Sequence, residues 1–175
     1  YGTMRYSLTD SYRKDKFSGV FSGNYERTDV HRSDMGFESF SGYAKLGYEL
    51  SEQWKVTGNV NVTKAISHNP GTISTPILDA KANVIRGMSG LSIENNYGIT
   101  KGAVNLYYNW GNHKINDGHT AIEEPQEFLF KSTDYMAGAN IYQSIRLFEG
   151  NTITGGFDVK LYGGNAYRGS RIYAD

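Results

Sequence analysis

Imidazole has the widest chemical range of any side chain in this sequence, because it ligates metals and haem and moves protons near neutral pH. The chain of 175 residues contains four histidines, and the strand pattern described below leaves all of them in long connections. We predict that histidines and neighbouring residues in these connections contact a ligand. The alternative is that they are solvent-exposed loop residues. The candidates in the connections are His31, His68, His113, Asp117 and His119, and Tyr107 joins them from the predicted sixth strand, where that strand nears the long connections.

Acidic residues occur in the same connections, at Asp29, Asp34, Asp117, Glu123 and Glu124. Carboxylates suit a divalent cation, but the alternate spacing of a calcium-binding loop is absent. We therefore expect solvated acidic loops and predict no metal site. A hydrolase built on His113 and Asp117 would also need a nucleophile, and the pattern places no serine within their reach. We predict no catalytic site, no enzyme activity and no cofactor.

The elements that position these residues are β-strands. From Phe37 to Thr63, apolar and small polar residues alternate, with one break at residues 51–53. A strict period of two excludes a helix and indicates a pair of long antiparallel strands. The same alternation recurs along the chain. We predict one all-β unit over residues 1–175, an up-and-down antiparallel meander of eight strands at about 2–12, 17–25, 37–50, 54–65, 83–97, 102–111, 133–148 and 152–163.

The connections are sorted by length. Those after the first, third, fifth and seventh strands are short, and those after the second, fourth and sixth are long. Alternate connections of a meander lie at the same end of the sheet, and outer-membrane barrels have short periplasmic turns and longer extracellular loops. The strands also exceed the usual length of roughly 5–6 residues. The pattern predicts a segment of a transmembrane β-barrel in the outer membrane of a Gram-negative bacterium, in contact with its lipid.

The composition limits the classes of partner and site that can be expected. Eighteen basic and eighteen acidic residues balance, so nucleic acid is not expected as a partner. The absence of cysteine excludes disulfides and thiolate metal sites. The predicted polar face consists mainly of Ser, Asn, Thr and Gly, which suits a wide barrel of about 22 strands around water or a plug.

Charged residues of the strands fall on this polar face, where they would face a barrel lumen. There they would pair across strands or hold a plug, or simply be hydrated. The predicted lumen-facing set is Lys45, Glu49, Arg86, Glu94, Arg146, Asp158 and Lys160.

Three runs resemble the barrel of TonB-dependent outer-membrane receptors, in the style of those from the Bacteroidetes. They are residues 18–25 (SGVFSGNY), the strand from Phe40 to Tyr48, and residues 105–118 (NLYYNWGNHKINDG). The resemblance covers nearly the whole chain but only the amino-terminal part of such a barrel, without the family's plug domain or TonB-contacting segment.

The resemblance implies energy-coupled import of a scarce, large ligand: an iron-siderophore, haem, cobalamin or a glycan. It also implies a TonB-system energy transducer that acts through the plug. A passive porin, or a small outer-membrane barrel or adhesin, is the alternative. A porin would share the alternation and the polar lumen but would need no plug.

Overall fold

Alternation of side chains produces β-structure along nearly the whole chain. The computed structural model describes residues 2–29, 32 and 35–170. Within this part of the chain there are eight strands and no helix: β1 (Gly2–Lys14), β2 (Phe17–Asp29), β3 (Gly36–Glu49), β4 (Trp54–His68), β5 (Lys81–Asn96), β6 (Thr100–Asn116), β7 (Phe128–Phe148) and β8 (Asn151–Ser170). No helix long and apolar enough to cross a membrane occurs among these residues.

All eight strands belong to one sheet in the order β1 to β8, and each pairs antiparallel with the next. The predicted up-and-down meander is confirmed. The sheet is open, because β1 and β8 do not pair with each other. Turns at residues 15–16, 50–53, 97–99 and 149–150 define the short-turn end. Connections at residues 30–35, 69–80 and 117–127 define the long-loop end.

Most strands extend further toward the long-loop end than the sequence predicted. Strand β6 continues to Asn116 rather than residue 111, β7 begins at Phe128 rather than residue 133, and β8 continues to Ser170 rather than residue 163. The prediction stopped where apolar residues stop. Pairing is made by backbone N–H and C=O groups, so polar residues continue the ladder beyond the apolar stretch.

The register keeps residues of one kind together. Phe17 stands in a row of directly opposed residues that continues through Tyr48, Val56, Ile93, Val104, Ile141 and Phe157. The adjacent row contains Gly47, Thr57, Ser92, Asn105, Asn140 and Asp158. We call the side of the first row the apolar face and the side of the second the polar face. A register shift of one residue between any two paired strands would move the apolar side chains of one strand to the polar face.

Short side chains on the polar face bond across the strands. Ser92 Oγ donates to Asn105 Oδ1 at 2.7 Å, and Asn105 Nδ2 donates to Asn140 Oδ1 at 3.4 Å. The Ser144 and Thr154 hydroxyls lie 2.8 Å apart on the same face, two polar-face rows closer to the short-turn end. Such cross-strand pairs stabilise a sheet by roughly 0.2–1 kcal/mol each. This face therefore satisfies many of its own polar groups.

The apolar face has no cover within the described chain. Leu8 is 76% exposed and Phe157 is 66% exposed. The buried hydrophobic residues are only Ala80, Ala103 and Leu129 among those described. The sheet is thus a single layer without the hydrophobic core that a second layer would create.

The uncovered apolar residues form a band of regular height. On four strands it spans nine residues, at 17–25, 40–48, 54–62 and 85–93. On the apolar face of the described strands, three charged residues lie opposite residues of these stretches. Asp10 and Lys14 of edge strand β1 lie opposite Phe21 and Phe17, and Lys64 of β4 lies opposite Phe40 and Ile85. We call this stretch the apolar band.

Aromatic rings fill the space above strand glycines. A Cβ atom built on Gly87 would collide with the indole of Trp110, its register partner on β6. Tyr135 lies in the same way over Gly163. These glycines are needed for contact, since a ring rests flat on the neighbouring backbone where a side chain would stand.

We expect Gly87→Ala to lower the free energy of unfolding by about 1–3 kcal/mol, because its Cβ displaces the Trp110 ring. Gly42 is the matched control, since it lies in the same row of the apolar face with nothing within 4 Å of an added Cβ. Gly42→Ala should be neutral or stabilising. Urea unfolding of the reconstituted protein checks both, and equal losses would contradict this packing account.

Candidate functional site

The seven charged residues predicted on the polar face all lie there by register. Lys45 opposes Asn59, Lys160 opposes Gly138, and Asp158 opposes Asn140. Glu49 opposes Lys55, which in turn opposes Glu94. Their placement on one face follows from the strand pairing. Whether that face lines a lumen remains a prediction.

Arg86, one of the seven, forms the most connected polar cluster in the described chain together with His113 and Asp134. Its Nη2 donates to Asp134 Oδ1 at 2.8 Å, and its Nη1 lies 3.1 Å from His113 Nε2. Arg86 belongs to β5 and Asp134 to β7, so their side chains meet across the intervening strand. Gly111 of β6 stands between them in the row, and an added Cβ there would collide with the Asp134 carboxylate.

The prediction that His113 lies in a connection is wrong, because it is a polar-face residue of β6. Its position was misjudged because the apolar alternation ends at Trp110 while the strand continues. The expectation that no serine lies within reach of His113 is also wrong. Ser132 on β7 opposes His113, and its Oγ is 3.1 Å from His113 Nδ1.

These contacts do not form a catalytic triad. Asp134 Oδ2 lies 3.5 Å from His113 Nδ1, the same nitrogen that contacts Ser132. A guanidinium can only donate, so Nε2 accepts from Arg86 and Nδ1 carries the proton. A base that activates serine needs a free acceptor nitrogen facing the hydroxyl and the carboxylate on the other nitrogen. The contacts instead pair Arg86 with Asp134 and hold the His113 ring between Arg86 and Ser132.

Tyr107 lies on the polar face of β6, as its alternation predicts. Its ring covers Gly138 on β7, where an added Cβ would collide with the phenol. Between this ring and the Arg86 cluster, the polar face contains a hollow of about 660 Å³ with Met88, Met136 and Tyr162 among its lining residues. A second hollow of about 420 Å³ adjoins Lys45. The polar face therefore offers concave surface with both apolar and charged groups.

The remaining candidates are dispersed. His68 is a residue of β4 rather than of a loop, and its Nδ1 lies 3.3 Å from the carbonyl oxygen of Gly36, its neighbour at the end of β3. By register it lies on the apolar face, opposite Lys81. His119 and Asp117 lie in the connection 117–127, as predicted. His31 and Asp34 fall outside the described residues.

The long connections touch each other. Leu78 and His119 form an antiparallel bridge, with backbone N–H···O distances of 2.8 and 3.0 Å in the two directions. Arg32 donates to the carbonyl oxygens of Gly71 at 2.6 Å, Pro70 at 3.4 Å and Thr72 at 3.3 Å. The role of Arg32 was not predicted. Its carbonyl partners lie about forty residues further along the chain, and long-range contacts between loops produce no periodic pattern in a sequence.

A local turn orders part of the third long connection. The backbone N–H and the hydroxyl of Thr120 donate to Glu123 Oε2 at 2.9 and 2.8 Å. These two hydrogen bonds, the backbone one first, lower the pKa of the Glu123 carboxyl. In the described part of the chain, no three His, Asp or Glu side chains are grouped as metal ligands.

No protein-family model matches the chain. No curated protein matches it either.

The Arg86–Asp134 pair should have a measurable coupling energy. Both side chains are about half exposed, so we expect roughly 0.2–1 kcal/mol from a double-mutant cycle with Arg86→Gln and Asp134→Asn. The coupling should shrink in high salt. The Arg5–Glu26 pair, which joins two directly opposed residues of β1 and β2, provides a control cycle. Zero coupling at low salt would contradict the bridge over Gly111.

The Thr120–Glu123 turn should be pH-dependent. Since folding lowers the pKa of Glu123, the turn is fully stabilised above the carboxyl's usual pKa and loses this stabilisation as pH falls through the lowered value. The amide proton shift of Thr120 in NMR spectra should report this titration. It should be abolished in Glu123→Gln, and a titration that persists in that variant would assign it to another group.

Proposed function

We propose that this chain is a wall segment of a transmembrane β-barrel, with its apolar face toward lipid. The observation that carries the proposal is the uncovered apolar band. Its nine residues on β2, β3, β4 and β5 agree with the roughly 9–11 residues that a tilted strand needs to cross a bilayer. A sheet exposed to water on this side would present a large apolar patch, which soluble proteins avoid.

Aromatic residues at both edges of the apolar band support a membrane setting. At the short-turn end, Trp54 Nε1 donates to the Tyr97 hydroxyl at 2.7 Å, with the rings edge to face. At the long-loop end, Tyr6 stacks on Tyr25 with ring centroids 6.5 Å apart. Rings with one apolar and one polar edge suit the two bilayer interfaces.

The short turns are staggered in the way that a barrel requires. Ile141 shares the row of Phe17, where β2 begins, yet β7 continues from residue 141 to 148, seven residues further, before it turns. Seven residues of about 3.3 Å across five strand spacings of about 4.8 Å correspond to a slope of about 44°. If the turns lie at one surface, the strands tilt by about this angle, within the range of membrane barrels.

We propose further that the barrel belongs to an active transporter of the TonB-dependent type, which imports a ligand too large for a porin. The resemblance of residues 18–25, 40–48 and 105–118 supports this, as does a polar face of small side chains suited to a wide lumen. The Arg86 cluster and Tyr107 would then face the lumen, where a ligand or a plug would contact them. A passive porin is the second candidate, favoured by the same polar face.

Charge placed in the apolar band should impair folding into a bilayer. Val60→Arg should cost about 2–4 kcal/mol, because Val60 lies within the band on β4. Asn59→Arg is the matched control, one residue away on the polar face, and should be nearly neutral. Free energies of folding into phosphatidylcholine vesicles check both values. A neutral Val60→Arg would argue for a water-exposed sheet.

Energy coupling separates a transporter from a porin. Cells lacking the protein should take up less of one ligand among iron-siderophore, haem, cobalamin and glycan, and the wild-type uptake should stop when a protonophore collapses the inner-membrane potential. Uptake that persists without this potential would favour a porin. Unimpaired uptake of all four ligands would count against transport of these classes.

A further inference from the structure

Lysines collect on the apolar face at the long-loop end, at the edge of the apolar band or just past it. On β4, Lys64 follows Val62 on this face and lies at the edge of the band, directly opposite Phe40 and Ile85. On β5 and β7, one polar residue follows Ile85 and Tyr135 before Lys81 and Lys131. Lys131 also lies directly opposite Lys114 of β6. We call Lys64, Lys81 and Lys131 the lysine belt.

On the apolar face of β4–β7, charged residues occur only at the long-loop end, and all of them are positive. At the short-turn end, the apolar face of β4–β7 has no charged residue; Trp54, Asn95, Gly102 and Ile145 lie there. Along the whole apolar face of these four strands, the register places no carboxylate. The neighbouring strands differ, since on β2 Arg27 pairs with Asp29 at 3.2 Å.

The lysine belt makes no ion pair with any carboxylate in the described part of the chain. Lys64 and Lys81 are exposed. The aliphatic stem of Lys131 lies across Gly169 of β8, because an added Cβ there would come within 3.0 Å of its Cδ, Cε and Nζ. Such a stem covers apolar surface while the ammonium group extends to a polar layer.

We propose that the lysine belt binds the phosphate groups of anionic lipids in the leaflet at the long-loop end. This rests on the proposed membrane location. Lys64 at the outer edge of the apolar band, and Lys81 and Lys131 two outward positions beyond Ile85 and Tyr135, would lie near the headgroups, where each lysine contributes measurably to the attraction of anionic lipid. Strands β4–β7 contribute no acidic residue that would compete for these lysines. On the neighbouring strand β3, Glu38 lies on the same face and accepts a hydrogen bond from the Tyr25 hydroxyl at 3.0 Å. The lipid is identified by its phosphate, next to an apolar surface for its chains.

The test measures lipid selectivity of the intact protein in neutral detergent by native mass spectrometry. Wild type should retain phosphatidic acid in preference to phosphatidylcholine. The triple variant Lys64→Gln, Lys81→Gln, Lys131→Gln should lose this preference by on the order of tenfold or more. The control, Lys45→Gln, Lys55→Gln, Lys101→Gln, removes as many charges from the polar face and should keep it.

Three results would overturn the proposal: no preference in wild type, an equal loss in both triple variants, or displacement of the lipid by inorganic phosphate at equal concentration. The last would assign the site to free anions. Insertion into pure phosphatidylcholine vesicles, read by heat-modifiable gel mobility, distinguishes the two proposals. Insertion without preference for phosphatidic acid overturns the lysine belt alone, and failure to insert overturns the membrane location as well.

Discussion

The rest of this structure depends on one constraint: the sheet is a single layer, and one of its two faces is apolar. Each inner strand satisfies its backbone through its two neighbours, so its side chains divide strictly between two faces. A globular domain would cover the apolar face with a second layer. Here the covered apolar residues amount to Ala80, Ala103 and Leu129 among those described. On the proposed membrane location, lipid would cover this face in place of a second layer. The single lysine of β4–β8 that is level with the band, Lys64, lies at its outer edge.

The polar face, in contrast, carries most of the charged residues of the strands. Charge is tolerated there because it is hydrated or paired, as Arg86 is with Asp134 and Arg13 is with Glu49 at 2.9 Å. On both faces, glycine leaves space above the backbone for the side chain of a neighbouring strand. Gly111 lets the Arg86–Asp134 pair close, and Gly87 receives the Trp110 ring. The many glycines thus shape contacts between neighbouring strands, and most of them lie outside turns.

The face of each side chain could be predicted because a period of two determines it, and the strand order could be predicted because short turns join successive strands of a meander. Leu46 and Thr57 lie on opposite faces as the alternation requires. The ends of the strands could not be predicted from the apolar pattern. Strand β6 continues beyond residue 111 through backbone pairing, which the pattern of apolar residues does not reveal. That error placed His113 in a loop and hid its contact with Ser132. The Arg86–Asp134 bridge needed the full register of three strands, and Arg32 reaches its carbonyls through loop geometry alone.

Accessibility along β4 tests the central claim most directly, since its two faces alternate within one continuous strand. Spin labels placed singly from residue 56 to residue 62 in the vesicle-inserted protein can be probed with oxygen, which enriches in lipid, and with a water-soluble nickel chelate. We predict that labels at Val56, Val60 and Val62 collide mainly with oxygen, and those at Thr57, Asn59 and Asn61 mainly with nickel. Equal nickel access at all positions, or the reverse alternation, would contradict a lipid-facing apolar face.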